Sequence, residues 1–184
     1  IKAIFPIHPL GYAIDHKLLN DFCEKNSLVQ INDVCESLGS WRGSNHAGTG
    51  GIASTFSFYF SHHMSTIEGG IISTNDYEFY QVCRALRSHG MAREITDDVM
   101  RQKYTDDNPM LSSDFIFINP SRNFRTTEIN AVLGLSQLPK LDENNKKRIY
   151  NFNHFIKNID SSKFITDFNI EGQSNYALIL ILKD

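Results

Sequence analysis

Apolar residues recur along this chain in two alternating rhythms, short runs suited to buried strands and longer stretches with helical spacing. Residues 3–7 read as a strand ending at Pro9, Leu10 and Gly11. Asp15 is placed to cap a helix over 16–25, whose Leu18, Leu19 and Phe22 share a face. Residues 28–31 form the next predicted strand, with Asp33 just past its C-terminal end. The polar, glycine-rich stretch 40–51 reads as a loop, 54–60 as a strand, Gly69 and Gly70 as a tight turn, and 71–73 as a further strand. A helix over 77–87 is expected to carry Phe79, Val82, Cys83 and Leu86 inward. Residues 91–113 are polar and read as a long excursion without its own core, a kind of segment that is usually functional or disordered. Helices follow from about 127 to 138 and over 141–159, and 176–182 is an apolar strand with nothing after it to pair with.

This alternation predicts an α/β fold, a mostly parallel sheet covered by helices. In open parallel sheets ligands bind beyond the C-terminal strand edge, which singles out Asp33 by position alone. Composition narrows the function. The 184 residues suggest one domain or slightly more, and 41% hydrophobic and 11% aromatic residues suffice for a sizeable core. Lys+Arg 18 against Asp+Glu 21 gives a net charge of −3, which argues against a nucleic-acid binder with a broad basic face. No apolar run approaches the roughly 18 to 20 residues that span a bilayer. The start resembles no signal peptide and lacks an initiator Met, so the true N-terminus is expected elsewhere. Three scattered cysteines, Cys23, Cys35 and Cys83, fit reduced thiols and a cytoplasmic protein.

Three groups of residues could carry chemistry: Asp33 with Glu36; the stretch 57–70 with Ser57, His62, His63 and Glu68; and Asn123 with Arg125 and Glu128. Adjacent histidines raise the question of a metal. On extended backbone their side chains would diverge, and no H-x-x-x-H or Cys/His cluster accompanies them. A catalytic base and a bland histidine pair are the other two readings. The glycines at 48, 50 and 51 lack the P-loop pattern and lead into no helix, so they read as a plain loop.

Five segments in order, INDVCESLG at 31–39, TFSFYFSHH at 55–63, EGG at 68–70, RSHG at 87–90 and PSRNFRTTEINAVLGLSQL at 120–138, resemble the DegT/DnrJ/StrS sugar-nucleotide aminotransferases. The resemblance runs from about Pro6 to Arg148 and implies the fold-type-I pyridoxal-phosphate architecture, with a seven-stranded sheet and homodimeric active sites. It implies that Asp33 faces the cofactor's pyridine nitrogen and keeps it protonated, which makes the ring an electron sink. Glu36 stands where the family usually has Gln near the phenolic oxygen. Ser57 matches a phosphate-binding hydroxyl, and Asn123 a residue that reaches the phosphate from the neighbouring subunit.

One position departs from the family. Its aminotransferases carry, five residues after the serine, the lysine that bonds covalently to the cofactor; here that position is His62, and no lysine lies between Lys25 and Lys103. Histidine cannot form the bond, so the cofactor is expected to be held non-covalently. A histidine here resembles the branch of 4-keto-6-deoxy-sugar 3-dehydratases, which work with pyridoxamine phosphate on a nucleotide-linked sugar and can use glutamate to recharge it. In that branch the histidine is the acid–base group, and His89 matches a histidine near the sugar. The expected function is therefore such a dehydratase in deoxysugar or O-antigen-type polysaccharide biosynthesis. An aminotransferase, or a degenerate scaffold that has lost the chemistry, are the alternatives.

Family members are roughly twice this length, on the scale of a two-domain enzyme. The resemblance implies that residues 1–140 are the C-terminal part of the cofactor-binding large domain. Residues 141–184 would then be a connecting helix and the beginning of a small α+β domain. A fragment with uncovered apolar surface, prone to self-association, is the resulting expectation.

Overall fold

The chain enters its sheet through Ala3–Ile4 (β1) and pauses at Pro6, which has no N–H to contribute to a ladder. The predicted strand 3–7 is therefore broken: after the gap, Ile7 bridges to Asp33, and His8 N donates to Asp33 O at 2.9 Å. His16–Lys25 (α1) follows with the predicted bounds, its first turn closed by Asp15, whose carboxylate accepts from Leu18 N. Val29–Asp33 (β2) pairs in parallel with β1, and a two-residue hairpin, Trp41–Arg42 (β3) with Asn45–His46 (β4), stands inside the stretch predicted as loop. Ala53–Ser57 (β5) and Gly70–Thr74 (β6) complete a sheet of order β1-β2-β5-β6, with β2 and β5 parallel. The remaining helices are Tyr77–Arg87 (α2), Asp98–Asp106 (α3), Glu128–Gln137 (α4) and Leu141–Asn158 (α5). This computed structural model describes residues 1–169 and 171–184. It divides into two compact units, Ile1–Ser73 with Glu128–Asp184, and Thr74–Thr127.

The inward positions of β2 are polar. Gln30 and Asn32 are buried where a strand pattern would place aliphatics, and they satisfy one another. Asn32 Oδ1 accepts from Gln30 Nε2 at 2.8 Å and from His8 Nε2 at 3.3 Å, while Asn32 Nδ2 donates to Gly50 O at 2.6 Å. A network closed on all sides fixes strand register more narrowly than aliphatic packing does. The apolar core beside it includes Val34, Ala53 and Phe152, with Phe152 edge-on to Phe168 at 5.8 Å. From α5, Asn145 Nδ2 donates to Leu38 O at 3.1 Å. The shared face of α1 is uncovered: Leu18 is 69% and Phe22 53% exposed. Ile129, Val132 and Leu135 of α4 are also exposed.

Residues 176–182 form no regular strand. Leu182 bridges antiparallel to Phe164, Ile165 N donates to Ile181 O and Lys183 N to Lys163 O, both at 2.8 Å. The partner that the sequence reading could not find precedes it in the same chain, after α5.

In the second unit the stretch 91–113 carries a small core, against expectation. Ala92 and Ile95 are buried together with Ile116 just beyond the stretch, and α3 is capped by Asp97, whose carboxylate accepts from Met100 N at 2.7 Å. Gln81 on α2 is buried and clamps this segment, its Oε1 accepting from Thr96 N at 2.9 Å. Gln81 and Ala85 thus form the inward face of α2, while Phe79, Val82, Cys83 and Leu86 are only half-buried.

Candidate active site

Three predicted site residues gather at one edge of the first unit's sheet. Asp33 is the last residue of β2, not one beyond it, and its register partner is Thr55 on β5. Because the strands are parallel, Asp33 and Ser57 emerge at the same C-terminal edge, and the chain turns from there into His62. The backbone of Asp33 is fixed on both sides, its N–H donating to Pro6 O and its carbonyl accepting from His8 N, each at 2.9 Å. Its carboxylate accepts from Cys35 N at 3.0 Å. Burial, and then the Asp33 carboxylate, push the Cys35 thiol up to about 12, so that sulfur stays protonated and is no nucleophile. Glu36 Oε2 accepts from Leu10 N at 2.9 Å, which ties one carboxylate oxygen to a turn where Leu10 has left-handed backbone (φ 57).

Ser57 Oγ accepts from Tyr59 N at 3.2 Å, and His62 N donates to Tyr59 O at 3.0 Å. The resulting bend places the His62 ring between two tyrosines, both near-perpendicular to it: Tyr59 at 5.6 Å and 76°, Tyr176 at 5.2 Å and 84°. His62 Nδ1 is buried without a hydrogen-bond partner among the described residues. His63 is 4% exposed and donates from Nε2 to Ser174 O at 2.9 Å. Burial is the main cause that lowers its pKa to about 4, so it is neutral near pH 7. The backbone through 61–64 is bent rather than extended, so the expected divergence of the two histidines does not occur, and both rings lie against Tyr176. Among the described residues no group of three or more His, Cys, Asp or Glu converges as a metal site would require.

The second unit brings the other two predicted residues together. Ser88 and Asn123 form an antiparallel bridge, and His89 N donates to Arg122 O at 2.9 Å. His89 itself has left-handed backbone (φ 61), an uncommon conformation that marks sites where surrounding structure holds a residue in place. Asn123 Oδ1 accepts from Arg125 N at 3.0 Å and Nε at 3.2 Å. Gly90, at φ +81, makes this arrangement feasible, because any Cβ there would run into the Asn119 carbonyl oxygen. Gly90→Ala should accordingly destabilise the protein by about 2 kcal/mol or more. Urea unfolding measures this, and an unchanged midpoint would contradict the packing described.

Sequence reasoning missed the residues that surround the two histidines. Gln173, Ser174 and Asn175 are buried, and Arg148 Nη1 on α5 donates to Tyr176 O at 3.1 Å. Ser61 Oγ and Tyr176 OH are 3.0 Å apart. The partners lie more than a hundred residues away in sequence, and the only local sign was a polar stretch ahead of an apolar run.

The donor set fits a pyridoxal-type cofactor held without a covalent bond. A carboxylate and a hydroxyl share the strand edge, an imidazole nitrogen in the bend that follows β5 has no partner among the described residues, and lysine is absent from residues 26–102.

A profile of the DegT/DnrJ/EryC1/StrS aminotransferase family matches residues 1–184. GDP-4-keto-6-deoxy-D-mannose 3-dehydratase of Yersinia pseudotuberculosis is 33% identical over 100% of this chain and 47% of its own length. GDP-perosamine synthase of Escherichia coli O157:H7 is 31% identical over 87% of this chain and 39% of its own. Among solved structures, E. coli GDP-4-keto-6-deoxy-D-mannose-3-dehydratase with bound hydrated PLP is 29% identical at a TM-score of 0.83, covering 100% of this chain and 47% of that one. The chain thus spans less than half the length of these curated relatives. Its α/β architecture is that of the PLP-dependent enzymes it superposes on. With the whole chain matched and Asp33 and Ser57 on one sheet edge, the protein belongs to the DegT/DnrJ/EryC1/StrS aminotransferase family.

Proposed function

We propose that the protein is a pyridoxamine-phosphate-dependent dehydratase that removes the 3-hydroxyl of a nucleotide-linked 4-keto-6-deoxy sugar. The observation that carries this reading is His62, which stands where covalent anchoring would need lysine and whose buried Nδ1 has no partner among the described residues. The likeness to a 3-dehydratase over the full chain supports it. When bound, pyridoxamine phosphate supplies an amine for the C4 ketone and an electron sink that lets the neighbouring hydroxyl leave. His62 would take up on its imidazole the proton released from the amine-bearing carbon and return it to the departing hydroxyl, which leaves as water, a two-way task suited to an imidazole. Asp33, fixed by the Pro6 and His8 backbone, holds the negative charge that keeps a pyridine nitrogen protonated. Ser57 binds the cofactor's phosphate, Asn123 reaches the phosphate held by the neighbouring subunit, Glu36 faces the phenolic oxygen, and His89 lies near the sugar.

The reading includes glutamate as amino donor, a homodimer, and a cytoplasmic setting in which the three free cysteines stay reduced. No helix among the described residues is long and apolar enough to cross a membrane. In the complete enzyme, residues 1–140 belong to the cofactor-binding domain and 141–184 to a connecting helix and the start of a small domain. A second reading, an aminotransferase, draws support from the likeness to GDP-perosamine synthase.

Borohydride separates the two. Protein incubated with pyridoxal phosphate, reduced and examined by mass spectrometry should show no phosphopyridoxyl adduct. A stoichiometric adduct on one lysine would instead make the aminotransferase the better account.

A further inference from the structure

We propose that Tyr176 is a positioning residue for the proposed base: its ring, edge-on to His62 and pinned at both ends, sets the direction in which the imidazole presents its nitrogens. This rests on the dehydratase reading and adds to it a residue outside the family motifs. Four observations converge. The His62 ring lies 5.2 Å from the Tyr176 ring at 84°, within the range where perpendicular aromatic pairs attract. The Tyr176 hydroxyl lies 3.0 Å from Ser61 Oγ, one residue before His62, so the tyrosine holds the same bend from its far end. Its backbone is held as well, since Tyr176 N donates to Leu10 O at 3.1 Å and Tyr176 O accepts from Arg148 Nη1 at 3.1 Å. The preceding segment is locked, with Ser174 N donating to Gly11 O and Ser174 O accepting from His63 Nε2, each at 2.9 Å.

The physical need is plain. Hydrogen bonding fixes many catalytic imidazoles through one nitrogen, but Nδ1 of His62 has no such partner among the described residues. Orientation must then come from packing, and the two perpendicular tyrosines supply it. Tyr59 is local to the bend, three residues before His62. Tyr176 arrives from the far end of the chain and couples the imidazole to α5 through Arg148. A base displaced by about 1 Å loses of order a hundredfold in rate, so the ring that prevents displacement is visible in kcat.

The test compares Tyr176→Phe, which keeps the ring and loses the hydroxyl, with Tyr176→Leu, which loses both. The first readout needs no activity: the ring-proton NMR signals of His62, assigned by their disappearance in His62→Asn, should be displaced by ring current in the wild type and in Tyr176→Phe. In Tyr176→Leu they should move toward free-histidine positions, while the remaining spectrum stays dispersed. The second readout is turnover of GDP-4-keto-6-deoxymannose with pyridoxamine phosphate. There Tyr176→Leu should lose at least about tenfold in kcat with KM within a factor of about two, and Tyr176→Phe should recover most of that loss. His62 signals identical in the wild type and Tyr176→Leu would overturn the proposal. Wild-type protein without turnover but with the predicted NMR pattern would reject the dehydratase reading and leave the positioning contact standing.

Discussion

Replacing His62 with asparagine should lower the rate of 3-hydroxyl elimination by about 10²–10⁴-fold, the usual contribution of a positioned general acid–base group. Asparagine keeps a polar side chain of similar reach in the bend after β5 but has no proton to exchange near neutral pH. The loss should therefore appear in kcat, with cofactor affinity and KM nearly unchanged, because the groups assigned to cofactor and phosphate are Asp33 and Ser57 on the strand edge. His62→Lys should have a different outcome. A primary amine at the same place gives the protein its first lysine between Lys25 and Lys103. Borohydride treatment with pyridoxal phosphate should then leave a reducible adduct that the wild type lacks. Stopped-time product analysis and mass spectrometry of the three proteins check both statements. If His62→Asn dehydrates within a factor of two of the wild type, His62 is not the base, and another group must move the proton.

The parts of this site that are legible in sequence are those that local geometry determines. Asp15 and Asp76 each accept from the backbone three residues on, so α1 and α2 begin where a capping residue precedes a helical pattern. Asp33 and Ser57 can be placed on one edge because parallel strands put their C-terminal ends together. The rest depends on partners far along the chain. Gln30 and Asn32 look like poor core residues until His8, Ser54 and the Gly50 carbonyl are brought to them. Ala92, Ile95 and Ile116 have no shared period, so the core they build in the second unit has no pattern to read. Tyr176 reads in sequence as part of an apolar strand, yet its neighbours are Ser61, His62 and Arg148. Chemistry at the strand edge was therefore readable, and the packing that aims it was not.

The same buried histidines should make the fold sensitive to mild acid. Burial, and to a smaller extent the charge of Arg148 and the proximity of His62, lower the pKa of His63 from its ordinary 6.5 to about 4; the hydrogen bond to the Ser174 carbonyl opposes this only in part. Burial also lowers the values of His8 and His16. A histidine kept neutral by folding is protonated more readily in the unfolded chain. Its contribution to stability is thus complete above pH 6.5, falls as the pH drops through the interval to about 4, and changes no further below it. For His63 alone the loss across that interval is on the order of 3 kcal/mol, and His8 and His16 act in the same direction. A loss of that size is a large share of the stability of an ordinary domain. Urea midpoints measured from pH 7.5 to pH 4.5 should therefore decline steeply below about pH 6.5. His63→Gln, whose amide nitrogen can still donate to the Ser174 carbonyl, should flatten the decline by removing the titrating group without removing the bond. A wild-type midpoint independent of pH, or an equally steep decline in His63→Gln, would place the acid sensitivity elsewhere. The carboxylates of Glu143 and Asp160 are both exposed and both lowered, by Lys147 and by Ser162 respectively, so their contributions fade only at the acid end. The window between pH 6.5 and 5 therefore isolates the histidines, and His63 ties that loss to the segment that holds Tyr176 against the proposed base.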